Sequence, residues 1–172
     1  MTTATLNAAT NLSDMSYIRE AMNSPMLSRE EEQCLAYKWT KQRDEKALHK
    51  LTQSYMRLVV AMAHKFKYYG LPVSDLIQEG NIGLLQAASK FDTAQDVRFS
   101  TYATWWVRAA IQDFVLRNWS IVRTGTTSAH KSLFFKLRHL RKQIEGASSE
   151  HGLTEQGRED IAKRLNIRVK DV

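Results

Sequence analysis

The chain has 172 residues, and its 25 lysines and arginines outnumber its 18 aspartates and glutamates, which gives a formal net charge of +7 at pH 7. This length and a hydrophobic content of 43% suffice for one packed domain plus a smaller appendage. No apolar run is long enough to cross a bilayer, and the first ten residues lack the basic and apolar segments of a secretory signal. A membrane or secreted protein is therefore excluded at this stage, and a cytoplasmic location is expected.

The helical signals predict an all-α fold, because no segment alternates with the two-residue period of a strand. Residues 1–12 are polar and aperiodic and are expected to be disordered. Ser28 and Glu31 form a capping-box pattern, which marks the start of a helix. Cys34 lies among helix formers without a second cysteine and is predicted to be a small core residue in a reducing compartment. Helices are predicted over residues 14–23, 29–42, 44–69, 75–90, 101–119, 129–144 and 153–165.

The helix over residues 75–90, with Ser74 as its predicted cap, divides by angle into two faces. Glycine is unfavourable inside a helix, so Gly80 and Gly83 predict close approach of a neighbouring helix. The inner face is apolar and comprises Leu76, Ile77, Gly80, Leu84, Ala87, Ala88 and Phe91. The outer face is polar around two apolar residues and comprises Asp75, Gln78, Glu79, Ile82, Leu85 and Gln86. Apolar side chains with a polar rim suggest a protein-binding face, although isolated surface leucines are common.

The next helix, with Ser100 as its predicted cap, carries more aromatic surface than one core-facing arc can use. Its inner arc is predicted to contain Ala103, Val107, Ala110, Ile111 and Phe114. Its opposite arc contains Tyr102, Trp105, Ala109 and Gln112, with Trp106 at the boundary. Two interpretations stay open at this point: a second protein layer covers the rings, or the rings form a stacking platform for nucleobases.

An acid-free stretch between Asp113 and Glu145 directly follows the aromatic helix and collects basic residues, Arg117 and Arg123 among them. Such a block favours a polyanionic partner, although basic runs are often only solvated surface. The five histidines lack metal-ligand spacing, and no phosphate loop or nucleophile elbow is present. We therefore expect no enzyme, no metal and no cofactor.

Two motifs resemble the core-binding and promoter-melting regions of bacterial primary-type sigma factors. They are Asp-Leu-Ile-Gln-Glu-Gly-Asn-Ile-Gly-Leu at residues 75–84 and Phe-Ser-Thr-Tyr-Ala-Thr-Trp-Trp-Val-Arg at residues 99–108. Residues 115–119 and the Leu-Phe-Phe-Lys-Leu-Arg run at 133–138 are similar to the heat-shock branch of that family. The resemblance covers residues 26–172.

The resemblance implies two sets of contact residues. Toward core RNA polymerase, at the coiled coil of its largest subunit, the candidates are Asp75, Gln78, Glu79, Asn81, Ile82, Leu85 and the outward-facing Phe135. Toward the minus-ten promoter element, the candidates are Lys90, Phe91, Phe99, Tyr102, Trp105, Trp106, Arg108, Gln112, Arg117 and Arg123. Tyr102 would stack on a flipped adenine of the non-template strand, the two tryptophans would wedge at the upstream edge of the bubble, and the arginines would hold phosphates.

Several positions depart from the family pattern. Ala109 replaces a glutamine that reads the upstream base pair in primary sigma factors, and Val97 replaces a tyrosine, so a different promoter choice is implied. His130 and Ser132 stand where heat-shock members often carry glutamine and a basic residue.

The resemblance predicts three parts: a disordered segment at 1–12, sigma domain 2 with its preceding helices at 13–123, and the start of sigma domain 3 at 124–172. The last part reads as an incomplete helix-turn-helix, and the domain for the minus-thirty-five element would lie beyond it. The implied function is promoter recognition and melting for heat-shock or stress genes, in the cytoplasm and on the nucleoid. Chaperones and regulatory proteases are further implied partners. Two alternatives stay open: a non-specific single-stranded nucleic-acid-binding module, and a structural bundle whose aromatic face docks on another subunit.

Overall fold

The computed structural model describes residues 15–94, 97–118, 131–137, 140, 155–165 and 168–169, and all regular structure within them is helical. The all-α prediction is confirmed. The chain divides into two compact units, Met1–Trp119 and Ser120–Val172. The segment predicted to be disordered, residues 1–12, lies outside the described residues.

The helices follow the chain in a simple order. The first unit contains α1 (residues 15–23), α2 (Arg29–Gln42), α3 (Glu45–Phe66), a 3-10 turn (Lys67–Tyr69), α4 (Val73–Lys90) and α5 (Phe99–Asn118). The second unit contains α6 (residues 131–137) and α7 (Glu155–Leu165). Within the described residues, no helix is both long and apolar enough to cross a membrane.

The predicted capping box at the start of α2 is confirmed. The Ser28 hydroxyl accepts from the Glu31 amide at 3.2 Å, and the Glu31 carboxylate accepts from the Ser28 amide at 3.0 Å. Asp44 caps α3 by accepting from the Lys46 amide at 2.9 Å. These side chains satisfy backbone donors that a helix start leaves without intrahelical partners.

Two other predicted caps are wrong. Helix α4 begins at Val73 after Pro72, which has a fixed φ and suits a helix start, so Ser74 lies inside the first turn. Helix α5 begins at Phe99. The Arg98 carbonyl accepts from the Thr101 and Tyr102 amides. Ser100 is therefore a first-turn residue and not the cap.

The core of the first unit forms where α4 packs against α3 on one side and α5 on the other. A β-carbon on Gly80 would lie 2.6 Å from Val59 Cγ1 of α3, and one on Gly83 would lie 2.8 Å from the Trp106 carbonyl oxygen of α5. The predicted close approach at both glycines is confirmed. Gly80 faces Ile111 while Gly83 faces Trp106, so α4 and α5 run antiparallel.

The buried face of α5 follows steps of four residues and differs in part from the predicted arc. It comprises Phe99, Ala103, Val107, Ile111 and Val115. Ala110 and Phe114, which were predicted to be inside, are only half-buried. Cys34 is exposed, so its prediction as a core residue is wrong. Its neighbour on α2, Ala36, fills the inner position instead.

Helix α1 is attached to the unit by polar contacts. The Arg57 guanidinium of α3 donates to the Met22 carbonyl and, at 3.4 Å, to the Ser24 carbonyl near the end of α1. Asn81 of α4 donates from Nδ2 to the Tyr17 hydroxyl at 2.8 Å. Cations are favourable beside the carbonyl end of a helix, so Arg57 stabilises the α1 C-terminus.

Candidate nucleic-acid and polymerase interfaces

The outer face of α4, defined here as Asp75, Gln78, Glu79, Ile82 and Leu85, is exposed as the helical angles predict. Ile82 and Leu85 are 48% and 47% exposed, although both are aliphatic. Asp75 and Gln78 are exposed, and Glu79 is half-buried. A pair of apolar side chains among polar ones is the composition of a protein contact surface.

Asn81, also predicted to contact the polymerase, has a role inside the unit. Its Nδ2 donates to the Tyr17 hydroxyl, and its buried Oδ1 has no hydrogen-bond partner among the residues that the structure describes. Burial raises the pKa of Tyr17, which keeps its hydroxyl protonated. Asn81 therefore joins α1 to α4 beside the outer face.

The aromatic platform is defined here as Tyr102, Trp105 and Trp106. Trp105 lies on the opposite side of α5 from its buried face, and the other two rings lie at the flank. The Trp105 ring is 69% exposed, which is unusual for an indole in a domain of this size. The Arg108 guanidinium lies 5.8 Å from the centre of that ring. An exposed ring beside a cation provides stacking and charge in one place, as unpaired nucleic acid requires.

Trp106 and Tyr102 form the inner edge of the platform and are half-buried. Lys90 Nζ lies 4.5 Å from the centre of the Trp106 ring, and the Tyr102 hydroxyl donates to the Lys90 carbonyl at 3.3 Å. The two rings are 6.2 Å apart between centroids. The end of α4 therefore supports the platform and brings a second cation to it.

Phe91 and Phe99, predicted to contact DNA, are buried and offer no ring surface to a ligand. Phe99 is 0% exposed and packs edge to face on Phe91 at 5.2 Å between ring centroids. Phe91 in turn lies 5.6 Å from the Tyr102 ring. Phe91 therefore lies between Phe99 and Tyr102. The predicted contacts of the two phenylalanines with DNA stay predictions.

The basic residues predicted to hold phosphates are not equivalent. Arg108 and Lys90 are exposed beside the platform. Arg117 is exposed but pairs with Asp113 at 3.4 Å and with Glu79 at 3.9 Å. Gln112 is half-buried on α5, seven residues beyond Trp105. Arg123 lies outside the described residues.

A buried carboxylate that sequence reasoning missed lies behind the platform. Glu32 of α2 is 1% exposed. Its Oε1 accepts from the Phe99 amide at 2.6 Å, and its Oε2 accepts from Arg98 Nε at 3.1 Å and from the Tyr55 hydroxyl. Arg98 Nη2 completes the ion pair at 3.0 Å. A buried charge requires such partners, and here they come from α3 and from the start of α5.

Two partners of Glu32, Arg98 and Tyr55, have raised pKa values. Hydrogen bonding to the Glu32 carboxylate raises the pKa of Arg98. Burial, and then the same carboxylate, raises the pKa of Tyr55 to about 12. Both groups therefore stay protonated, as donors, over the physiological range.

A helical projection contains the signal that would have found Glu32. Three consecutive glutamates at 30–32 point in directions about 100° apart, so together they span about 200° of the helix surface and one of them can lie on the buried face. Glu32 lies four residues before the buried Ala36 and shares its face.

Within the described residues of the second unit, Phe135 is the one predicted contact residue. Phe135 in α6 is half-buried and packs edge to face on Phe134 at 5.0 Å between ring centroids. Among the described residues, no group of three His, Cys, Asp or Glu side chains is arranged to hold a metal ion.

Comparison with known proteins identifies relatives over most of the chain. Residues 51–121 match the family described as Sigma-70 region 2. The chain is 44% identical to the RNA polymerase sigma factor RpoH of Caulobacter vibrioides over 156 residues, 91% of this chain and 52% of that protein. The RpoH of Rhizobium radiobacter is 40% identical over 156 residues, with the same shares of both chains. The RNA polymerase sigma-C factor of Myxococcus xanthus is 40% identical over 158 residues, again 91% of this chain and 52% of that protein.

The chain spans about half the length of these relatives. The matched family region, residues 51–121, includes both the outer face of α4 and the aromatic platform. The chain belongs to the bacterial sigma factor family, on the branch that contains the RpoH proteins.

Proposed function

We propose that this chain is an RNA polymerase sigma factor that binds core polymerase and recognises and melts the minus-ten promoter element. The observation that carries the proposal is the placement of two exposed surfaces on adjoining antiparallel helices, the outer face of α4 and the aromatic platform of α5. One rigid unit would then hold DNA at a fixed distance from the polymerase.

The proposed polymerase contact uses the outer face of α4. Ile82 and Leu85 would be buried against the largest subunit, at its coiled coil, while Asp75, Gln78 and Glu79 form the polar rim. An apolar centre inside a polar rim is the usual anatomy of a protein interface. Phe135 of the second unit is a further candidate contact with the polymerase.

The proposed melting step rests on differential binding. A base stacked on an aromatic ring gains about 1–3 kcal/mol, and Tyr102 and Trp105 offer such rings only to bases that have left the duplex. The platform therefore favours open over paired DNA and offsets the few kcal/mol that unstacking costs, without nucleotide hydrolysis. Lys90, Arg108 and Arg117, together with Arg123 from beyond the described residues, would neutralise phosphates, so binding should weaken with salt.

The RpoH relatives support heat-shock or stress genes as the target class. Ala109 and Val97 depart from the family pattern, so we propose a promoter preference distinct from that of housekeeping sigma factors. The proposed setting is the cytoplasm, on the nucleoid when bound to polymerase. Chaperones and regulatory proteases are proposed partners without assigned contact residues.

The test is retention of a fork-junction DNA by core polymerase mixed with this chain. A minus-ten sequence should be retained about tenfold or more above a scrambled one, because each mismatched position costs about 1–3 kcal/mol. The chain without core polymerase and a sigma factor of housekeeping type serve as controls. Equal retention of both sequences, with or without polymerase, would instead identify a non-specific single-stranded nucleic-acid-binding module.

A further inference from the structure

Helix α5 begins without a cap of its own. The Arg98 carbonyl accepts from the Thr101 and Tyr102 amides, at 3.1 and 3.2 Å, so Arg98 occupies the capping position. A guanidinium has no acceptor and cannot satisfy the free amides of a first turn. The Phe99 amide is satisfied instead by Glu32 Oε1 of α2, 67 positions earlier in the chain.

A continuous series of ring contacts leads from this carboxylate to the platform. Tyr55, which donates to Glu32, packs edge to face on Phe99 with ring centroids 5.1 Å apart. Phe99 contacts Phe91, and Phe91 contacts Tyr102 at 5.6 Å. Tyr102 also lies less than one turn beyond Phe99 on the same helix. Any shift at the start of α5 therefore moves the ring proposed to receive the flipped base.

We propose that Glu32 is a positioning residue for the minus-ten platform. Its carboxylate caps α5 from another helix and, with Arg98 and Tyr55, fixes where the first turn lies and hence where Tyr102 stands. The inference rests on the proposed promoter-melting function and adds to it a residue of α2 that touches no DNA. Helix α2 thereby becomes part of the device that presents the platform.

Packing alone would not require this arrangement. An apolar residue at position 32 would fill the same space beside Ala36, yet it would leave the Phe99 amide and the Arg98 guanidinium without their acceptor. Buried ion pairs often contribute little net stability compared with an apolar replacement, whereas they do fix geometry. We therefore attribute the buried charge at position 32 to its role in orienting α5.

The experiment compares Glu32→Gln with Glu31→Gln in three assays. Glutamine at position 31 keeps the capping box and removes one exposed charge, so it is the matched control. The assays are amide hydrogen exchange at residues 99–102, affinity of the assembled holoenzyme for fork-junction DNA, and affinity of the chain for core polymerase. For Glu32→Gln we expect exchange to rise and DNA affinity to fall, each by about tenfold, the scale for loss of one charge-assisted hydrogen bond. The affinity of Glu32→Gln for core polymerase should be unchanged. Glu31→Gln should match the wild type in all three assays.

A second variant keeps the inference testable if Glu32→Gln folds poorly. Tyr55→Phe retains the ring against Phe99 and removes only the hydroxyl donor to Glu32, so it should shift exchange and DNA affinity in the same direction by a smaller factor. Unchanged exchange in Tyr55→Phe and in any folded Glu32→Gln would overturn the proposal. Parallel loss of DNA and polymerase affinity would also overturn it, because that pattern indicates a purely structural role. Failure of the proposed function would be seen separately, as wild-type holoenzyme that does not prefer minus-ten DNA.

Discussion

The Arg117 guanidinium of α5 lies 3.9 Å from the Glu79 carboxylate of α4, so a residue proposed to hold DNA touches one proposed to bind polymerase. Arg117 also pairs with Asp113 of its own helix at 3.4 Å. Exposed pairs of this kind contribute about 0–1 kcal/mol, because water screens both charges. We predict that Arg117→Gln lowers the free energy of unfolding by less than about 1 kcal/mol. Urea denaturation checks this, and a clearly larger loss would show that the pair holds α4 and α5 together.

Tyr102 and Trp105 should matter for opening DNA and not for assembly. The double substitution Tyr102→Ala and Trp105→Ala is expected to abolish open-complex formation while core binding persists, because neither ring lies on the outer face of α4. Permanganate reactivity of promoter thymines measures opening, and co-purification measures assembly. Thr101→Ala is the control, since Thr101 is exposed on the same turn. Undiminished thymine reactivity in the double variant would contradict the stacking role.

Gln78 and Leu85 should show the reverse behaviour. Each alanine substitution is expected to weaken assembly with core polymerase, by more than about 1 kcal/mol for Leu85 if it is a central contact. Both side chains are exposed, so thermal unfolding of the free chain should not change. Ser89→Ala, at an exposed position near the end of α4, is the matched control. Equal capture of wild type and variants by immobilised polymerase would refute the assignment of this face.

Gly83 should tolerate alanine poorly, because two of its three nearest neighbours are backbone atoms and the third is the Cβ of Ala110. A β-carbon there would meet the Trp106 carbonyl oxygen at 2.8 Å and Val107 Cα at 3.0 Å. Overpacking costs about 1–3 kcal/mol, and the better helix propensity of alanine offsets about 1 kcal/mol of it. We expect a net loss of up to about 2 kcal/mol in chemical denaturation, by the difference of these terms.

Gly80 provides the comparison for that experiment. Its nearest obstacle is a side-chain methyl, Val59 Cγ1 at 2.6 Å. Gly80→Ala should therefore be partly rescued by Val59→Ala in a double-mutant cycle, whereas no single side-chain truncation should rescue Gly83→Ala. Additive effects at Gly80 and Val59 would contradict the close contact.

The raised pKa of Tyr55 predicts a stability change at alkaline pH. A tyrosine in the unfolded chain loses its proton near pH 10, whereas burial and Glu32 hold the proton of Tyr55 to about pH 12. The unfolded state therefore binds fewer protons between these values, and stability falls as pH rises from about 10 to 12. Urea unfolding at pH 9 and pH 11 measures the slope. Tyr55→Phe should show a shallower slope, and an identical slope would mean that Tyr55 titrates normally.

Helical angles and helix propensities predicted those features of the fold that depend only on residues near one another in the chain. Gly80 and Gly83 are unfavourable within a helix unless another helix needs the space, so their presence predicted the contact that the structure contains. Ile82 and Leu85 were identified as exposed because their angles on α4 oppose the apolar face. The same reasoning predicted that the Trp105 indole lies on the side of α5 away from the core.

The features that sequence reasoning missed depend on distant partners. Glu32 reads as an ordinary first-turn acid until α2 packs, and only then do Phe99 and Arg98 stand beside it. The cap of α5 was assigned to Ser100 because local chemistry favours serine, whereas Arg98 occupies the capping position and a carboxylate from another helix, that of Glu32, accepts from the Phe99 amide. Cys34 was placed in the core by residue type alone, although its helical angle puts it outside.

The contact between Glu32 and the Phe99 amide also bears on the order in which the first unit folds during synthesis. Helices α1 to α4 leave the ribosome before residue 99 does, and the main helix pairs among them join neighbours along the chain. Until the Phe99 amide and Arg98 emerge, the carboxylate of Glu32 lacks the partners that burial of a charge requires. The burial of Glu32 with all of its partners is therefore completed only after the start of α5 has been made.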